Sequence, residues 1–251
     1  MKVVVAGLMA RFPLGGVAYD YIQYVLGFRR LGCDVFYLED TGEYCYNPEQ
    51  YTFTEDASWN AAYLARVAAR FGLAEGQYCL RNWNGDCLGV SHDILIQKLR
   101  SADLFVNISG TCWLRDEYRD LPMRKVFIDS DPGYNHVWVA LGSAPGADPK
   151  LAAAVERIRA HDVHYTFAEN QRGADCALPA TPGIAWRPTR QPVVLDLFEP
   201  APPEAARPEL TTVMRWKAHE YELEIGGRKY GGKARSMEPY HGVPARFGRR
   251  S

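Results

Sequence analysis

The sequence predicts an α/β fold, a Rossmann-like parallel sheet with helices on both faces. The segment "KVVVA", residues 2–6, is continuously apolar and β-branched, as strands buried on both faces are. A glycine-containing loop, residues 7–16, leads into residues 17–32, whose apolar side chains recur at helical spacing and which end at Gly32. A second apolar strand is predicted at residues 33–40. Strand, loop, helix and strand in this order form a βαβ unit.

The same alternation continues along the chain. Further strands are predicted at residues 102–109, 124–129 and 162–170. Helix starts are indicated by capping residues between them. Thr52 and Glu55 have the spacing of a capping box, Ser91 can cap a helix that ends near residue 99, and Asp148 precedes Pro149 as an N-cap precedes a first-turn proline.

Composition and charge restrict the class of protein. Hydrophobic residues make up 47% and charged residues 24% of the 251 positions, and the net charge is −1. These values are ordinary for a globular protein and give no overall attraction to nucleic acid or anionic membranes. No apolar run reaches the roughly 18 residues of a membrane span, and the N-terminal apolar run breaks at Gly7, so we expect a cytoplasmic protein without a membrane span. The six cysteines form no Cys-x-x-Cys pair, and we expect free thiols.

Proline usage predicts the domain organisation. Eight of the sixteen prolines lie between Pro179 and Pro208, a stretch that includes one possible strand at residues 192–198. The predicted segments are a Rossmann-like N-terminal domain at 1–198, a proline-rich linker at 199–209, the start of a second, truncated domain at 210–230, and a basic, disordered tail at 231–251. Within the third segment, "YELEIGGRKYGG" is typical of a hairpin that turns at Gly226-Gly227.

The order of these segments resembles a known family. The resemblance is carried by "VVVAGLMARFPLGGVAYDYIQYVLGFRRLGCDVFYLED", "LFVNISG", "VFIDSDPGYNHVW", the proline-rich segment and the strand-like segment after it, "TTVMRWK". This order of segments is similar to the N-terminal half of GT-B-type glycosyltransferases, including bacterial members. The resemblance extends over roughly residues 1–230. It consists of the order of the strands and helices and of several short sequence segments, and it has the length of a domain.

The resemblance implies an acceptor-side domain of a nucleotide-sugar-dependent glycosyl transfer enzyme. In that family two Rossmann-like domains face a cleft, the C-terminal one generally binds the nucleotide-sugar donor, and no metal is usually required. The expected partners are therefore a small-molecule or glycan acceptor and a nucleotide-sugar donor, with no cofactor and no nucleic acid. Because about forty residues follow Leu210, most of the donor domain is expected to be missing, and the chain is expected to be inactive alone.

Three residues at or just after the end of the fourth predicted strand are catalytic candidates. Asp129 and Asp131 directly follow an apolar run, and His136 lies five residues further on. Carboxylates and histidine can take a proton from a sugar hydroxyl, and ligands of such folds bind at the carboxyl ends of strands. The alternatives are a turn role for the aspartates before Pro132-Gly133 and a metal site of the GT-A type at Asp129-Ser130-Asp131. The family's usual histidine, in the loop after the first strand, has no counterpart here.

Other strand ends supply candidate substrate-binding residues. They are Gly15, Gly16, Ser109, Gly110, Thr111, Glu169 and Asn170. The glycine pair opens the first predicted helix, where free N–H groups can hold an anion, although neither a Gly-x-Gly-x-x-Gly nor a P-loop pattern is present. The other five end or follow predicted strands, with tight turns or a helix start as the alternatives.

Three functions remain open. The leading hypothesis is the acceptor-side domain of a GT-B-type enzyme. The competing one is a non-catalytic α/β module that binds a sugar or a nucleotide. A GT-A-type, metal-dependent enzyme that uses the Asp-Ser-Asp segment is a third possibility.

Overall fold

The computed structural model describes residues 1–171, 173–199, 202, 223–231, 234 and 237–246. The chain divides into two compact units, Met1–Phe198 and Glu199–Ser251. The predicted linker and the residues up to 222 lie almost entirely outside the described residues. No described helix has the length and hydropathy needed to cross a membrane.

A mostly parallel, eight-stranded sheet forms the first unit. Its strands run in the order β10-β9-β8-β7-β1-β2-β5-β6, and all neighbours are parallel except the edge pair β5–β6. The strands of this unit, including a separate hairpin β3–β4, are β1 (Lys2–Ala6), β2 (Asp34–Glu39), β3 (Cys45–Asn47), β4 (Thr52–Thr54), β5 (Tyr78–Arg81), β6 (Cys87–Leu88), β7 (Leu104–Ile108), β8 (Arg124–Asp129), β9 (Val163–Thr166) and β10 (Trp186–Pro188). The predicted fold class is confirmed.

Helices cover both faces of this sheet. They are α1 (Gly15–Arg30), α2 (Ser58–Arg70), α3 (His92–Arg100), α4 (Asp116–Arg119), α5 (Tyr134–Gly142) and α6 (Pro149–Arg159). On one face, Ile22 of α1 and Leu64 of α2 pack against Val3 and Val5. On the other face, Leu95 of α3 packs with Val4 and its neighbours. The alternating strand residues are therefore buried on both sides, which explains why β1 reads as a continuous apolar run.

The order of the strands creates a crevice at one edge. The chain passes outward from β1 through β2 and β5, then returns to the opposite side of β1 to form β7. The loops that leave β1 and β7 consequently turn away from each other. Open α/β sheets bind ligands outside the carboxyl ends of the strands at such a switch point.

Two capping predictions are confirmed and one is wrong. The Ser91 side chain accepts a hydrogen bond from the Ile94 amide, and the Asp148 carboxylate accepts one from Lys150. The capping box at Thr52 is wrong, because Thr52 lies in strand β4. A hydrogen bond from the Ser58 amide to Asp56 Oδ1 marks the start of α2 instead.

The proline-rich stretch is irregular. Residues 192–198 were predicted as a strand, but Leu195–Leu197 is a single 3-10 turn. The segment is tied to α1, since Val194 N–H donates to Gln23 Oε1 over 2.6 Å. Pro188 does enter the sheet, but in the outermost strand, where a missing N–H costs no ladder bond.

The described part of the second unit begins with the expected hairpin. Strands β11 (Leu223–Ile225) and β12 (Arg228–Tyr230) are antiparallel, and Gly226 and Gly227 connect them at positive φ of 56° and 74°. Positive φ at both turn positions favours glycine. Within the predicted tail, Glu238–Tyr240 forms a 3-10 turn and Val243–Arg246 a one-turn helix, α7.

Candidate functional site

Exposed aromatic rings stand on several loops at the carboxyl edge of the sheet. Tyr44 lies between β2 and β3, Phe53 lies in the hairpin strand β4, Trp83 follows β5 and Trp113 follows β7, and each is between 38% and 46% exposed. We call these four residues the aromatic rim. Tyr44 lies edge-on to Trp83 with centroids 5.3 Å apart. A pair of large rings held in contact yet open to solvent, such as Tyr44 and Trp83, is typical of surfaces that bind a ligand.

The loop after β1 is held in place by a buried carboxylate. Glu39 accepts hydrogen bonds from the amides of Ala10, over 2.8 Å, and Arg11, and from the Tyr37 hydroxyl over 3.0 Å. Burial raises the pKa of Glu39 to about 7, while these hydrogen bonds act in the opposite direction. The Arg11 guanidinium lies over the rings of Phe12 and Phe53, and so joins this loop to the aromatic rim.

A second buried acid organises the loops around the rim. Both Asp40 oxygens accept hydrogen bonds from Arg115 at 2.8–3.1 Å, and the Tyr118 hydroxyl donates to one of them. Arg81 lies 3.8 Å from Asp40 and pairs with Glu117. The Trp113 amide donates to the Asp40 carbonyl over 2.9 Å, so this network fixes the backbone of a rim residue.

Three hydroxyl groups meet at the switch point. Tyr21 of α1 donates to Ser109 over 3.3 Å, and Ser109 is hydrogen-bonded to Ser130 after β8. Ser109 has φ 59°, a left-handed conformation that costs a non-glycine residue about 1–3 kcal/mol. Gly110 follows at φ 65°, where an added Cβ would lie 2.8 Å from the Phe127 ring. The predicted residues after β7 therefore form a tight turn with half-buried hydroxyls.

Thr111, the last of the predicted residues after β7, points inward. Its hydroxyl oxygen is buried and has no hydrogen-bond partner among the described residues. The next residue, Cys112, closes the turn, because the amide of Cys112 donates to Asn107 Oδ1 over 3.0 Å. Thr111 is consequently part of the turn itself and does not lie on its exposed side.

Two of the catalytic candidates are buried together. Asp129 is 0% exposed, and its oxygens accept hydrogen bonds from Asn135 over 2.9 Å and Thr166 over 3.0 Å. His136 is 2% exposed and stacks on Trp186 with centroids 5.0 Å apart. Its Nδ1 lies 3.3 Å from Asp129 Oδ2 outside hydrogen-bond geometry, and neither ring nitrogen has a hydrogen-bond partner in the described part of the chain. A substrate cannot reach either group without movement of α5.

Asp131 is separated from this pair. It is exposed in the turn between β8 and α5, whereas Ser130 and Gly133 are half-buried. The two aspartates therefore do not point to one site. Around Asp129, any metal ion would have to displace the Asn135 and Thr166 hydrogen bonds, and within the described ranges no three His, Cys, Asp or Glu side chains cluster as metal ligands would.

The remaining predicted residues lie at two separate places. Gly15 and Gly16 are exposed in the first turn of α1, with open space where a Cβ would be. Glu169 and Asn170 follow β9 in a turn, not in a helix. Glu169 pairs with Arg190 at the surface, and Asn170 donates to Asp175 over 2.7 Å.

A cavity of about 810 Å³ adjoins the aromatic rim. Trp113 and Arg115 line it from one side, and residues of α6 from the other. The Arg157 guanidinium lies over the Trp113 ring, 5.0 Å from its centroid. Arg157 has no carboxylate partner among the residues that the structure describes, whereas Arg159 pairs with Glu156. The cavity therefore presents one uncompensated cation against an aromatic face.

The sequence did not single out the rim or the Asp40 network. A partial signal was present, because Tyr44 and Trp113 come within four residues of the ends of predicted strands, whereas Trp83 follows β5, which was not predicted. The acidic pair at the end of β2 was also visible. What could not be read is that Arg115, 75 residues after Asp40, would bind it.

Comparisons with known proteins identify no family. The chain matches no protein-family model, and no curated protein matches its sequence. Function is therefore inferred from the geometry of the carboxyl edge.

Proposed function

We propose that this chain supplies the acceptor-side domain of a nucleotide-sugar-dependent glycosyl transfer, and that the aromatic rim binds the acceptor glycan. The observation that carries the proposal is the position of the rim, on the segments that follow β2, β5 and β7 at the carboxyl edge. This edge is where open α/β sheets bind ligands. The resemblance of the sequence to GT-B-type enzymes supports the same assignment.

Sugars suit such a surface for a chemical reason. One face of a pyranose ring consists of C–H groups and packs flat against an aromatic ring, while its hydroxyls need hydrogen-bond partners at the side. Trp83 and Trp113 supply exposed rings, and the polar side chains of Asn84 and Asp86 lie on the loop that follows Trp83. Tryptophan rings in an interface often contribute more than 1 kcal/mol each to binding.

The catalytic candidates take different roles in this proposal. Asp131 is the exposed carboxylate and is assigned as the group that accepts a proton from the acceptor hydroxyl. Asp129 and His136 are assigned as positioning residues, because their burial and their contacts with Asn135 and Trp186 hold the start of α5. Ser109 and Ser130 are assigned as residues that form hydrogen bonds to hydroxyl groups of the acceptor at the switch point.

The non-catalytic binding module is the second candidate. It is favoured by the cavity beside Trp113, where Arg157 offers a cation over an aromatic ring. A nucleotide or another anionic ring compound has the matching chemistry, since its base can stack and its phosphate can pair with the guanidinium. In this case the ligand would occupy the α6 side of Trp113 and not the rim.

Titration calorimetry of the full chain with neutral oligosaccharides and with nucleoside diphosphates separates the two. For the acceptor-side domain we expect a neutral glycan to bind, and Trp83→Ala to weaken it about tenfold, or about 1.4 kcal/mol. Leu31→Ala is the matched control, because Leu31 is exposed just before β2, at the opposite edge of the sheet, and should change nothing. Nucleotide binding that is lost in Arg157→Ala and kept in Trp83→Ala would favour the module. If Trp83→Ala left the affinity for the glycan unchanged, the proposal that the aromatic rim binds the acceptor would be refuted.

A further inference from the structure

Two cysteines lie side by side at the edge of the sheet. Cys79 is in β5 and Cys87 begins the edge strand β6, and the antiparallel register pairs Arg81 with Cys87 and Leu80 with Leu88. Alternate residues of a strand face the same side, so Cys79 and Arg81 share a face with Cys87. The two cysteines are thus diagonal cross-strand neighbours.

The two thiols affect each other across this strand pair. The Cys79 thiol is hydrogen-bonded to Cys87, and this bond, with Arg81 and His92 nearby, lowers the pKa of Cys87 to about 7 against the effects of burial and Asp40. The same bond and burial raise the pKa of Cys79. At neutral pH about half of Cys87 is therefore thiolate, stabilised by the proton that Cys79 keeps. The thiolate is the nucleophilic form of cysteine.

The two thiols differ in their exposure to solvent. Cys87 is half-buried, whereas Cys79 is fully buried behind it. Strand β6 has two residues and a single neighbouring strand, so few ladder hydrogen bonds oppose a shift towards β5. Such a shift is needed, because a disulfide requires an S–S distance of about 2.05 Å.

We propose that Cys87 and Cys79 form a redox-active thiol pair that reacts with hydroperoxides. The Cys87 thiolate attacks one peroxide oxygen, the O–O bond breaks, and Cys87 becomes a sulfenic acid while the peroxide is reduced to hydroxide or alkoxide. The sulfur of Cys79 then attacks Cys87 Sγ, the S–O bond breaks and the S–S bond forms. The proton of Cys79 leaves with the departing hydroxide as water. Two thiols and one hydroperoxide thus give one disulfide, one water and one alcohol or second water.

This pair is independent of the proposed sugar-binding function. It lies on β5 and β6, and neither cysteine belongs to the rim. Failure of glycan binding would therefore leave the thiol proposal untouched, and the reverse also holds.

Peptide mapping of the oxidised full chain tests the disulfide. Trypsin cleaves after Arg70, Arg81 and Lys98, so Cys79 and Cys87 fall in separate peptides, residues 71–81 and 82–98. After treatment with stoichiometric hydrogen peroxide at pH 7 and alkylation of remaining thiols, we expect these two peptides to appear linked. The linked species should disappear on treatment with dithiothreitol. Absence of the linked species, with both cysteines alkylated, would overturn the proposal.

Reaction rates provide the second readout. At pH 7 a thiol with a pKa of about 7 is roughly half ionised, against roughly 3% for an ordinary thiol, and its weaker intrinsic nucleophilicity reduces the advantage to about threefold. We expect iodoacetamide to alkylate Cys87 about threefold faster than Cys33 and Cys176, which are also half-buried. Equal rates at the three sites would contradict the proposal.

Single substitutions assign the two roles. In Cys79→Ser, peroxide should leave a sulfenic acid on Cys87 that a dimedone probe traps, and in Cys87→Ser, Cys79 should stay reduced. Cys33→Ser is the matched control and should still form the linked peptides. Sulfenic acid formation at Cys79 in Cys87→Ser would reverse the assignment and refute it. If a variant fails to fold, the mapping of the wild-type chain decides.

Discussion

Acidification should destabilise the protein through His161, which is buried just before β9. Its Nδ1 lies 3.1 Å from the carbonyl oxygens of Arg157 and Ile158, and its Nε2 lies 3.1 Å from the Asn107 amide nitrogen. The neutral ring with hydrogen on Nδ1 fits these partners, because Nε2 then accepts from Asn107. A proton on Nε2 would face another donor.

The size of the effect follows from the pKa. Burial, together with the nearby His164 and Lys125 and against the two carbonyl hydrogen bonds, lowers the pKa of His161 to about 4. The unfolded chain has a value near 6.5, so it binds more protons than the folded protein between these two values. The stability that His161 contributes is present above about pH 6.5 and is lost as the pH falls through 4. Linkage gives a loss of about 2 kcal/mol between pH 7.5 and pH 5.

Urea unfolding at pH 7.5 and pH 5 measures this loss. We compare the wild type with His161→Gln, which keeps a polar side chain but cannot titrate. The decrease in unfolding free energy should be about 2 kcal/mol larger for the wild type, because all other titrating groups cancel in the difference. Equal decreases in the two proteins would show that His161 is solvated in the folded state or already protonated, and would refute the tautomer assigned from the structure.

Two further predictions concern the buried acids at the carboxyl edge. Because the pKa of Glu39 is raised, its protonated form stabilises the folded protein below about pH 4.5, and this contribution is lost as the pH rises through 7. Between pH 5 and pH 7.5 the unfolding free energy of the wild type should therefore decrease by about 2 kcal/mol more than that of Glu39→Gln in the same urea experiment. A steeper decrease in the variant would contradict this. Arg115→Ala leaves Asp40 buried without its bidentate partner and should destabilise by roughly 3 kcal/mol in urea unfolding at pH 7.5, whereas Arg119→Ala, an exposed pair nearby, should cost less than about 0.5 kcal/mol. Similar losses in the two arginine variants would show that the Asp40 site is solvated.

Local signals sufficed for much of the fold. The apolar run of β1, the helical spacing of α1 and the caps at Ser91 and Asp148 each depend on interactions within a few residues, and each element forms where it was predicted. The hairpin at Gly226-Gly227 is similar, because positive φ at two turn positions is a backbone requirement that glycine meets. Short strands such as β5 and β6 were missed, since runs of two to four residues carry no periodicity.

The candidate site was less predictable. Residues that follow strands were correctly placed at one edge of the sheet, because parallel strands have their carboxyl ends on the same side. The solvent exposure of these residues could not be predicted from the sequence. Asp129 and Asp131 are two positions apart, yet one is fully buried and the other exposed, since the chain turns between them into α5.

The sequence by itself determined the alternation of strands and helices, and with it a parallel sheet covered on both faces, because hydrophobic periodicity and capping are local. Only the tertiary structure decided which polar groups meet. Asp40 and Arg115, Asn107 and His161, and Cys79 and Cys87 are brought together by strand order and register. Buried polar groups must find partners, and which partner is within reach depends on the packed sheet and not on the spacing along the chain.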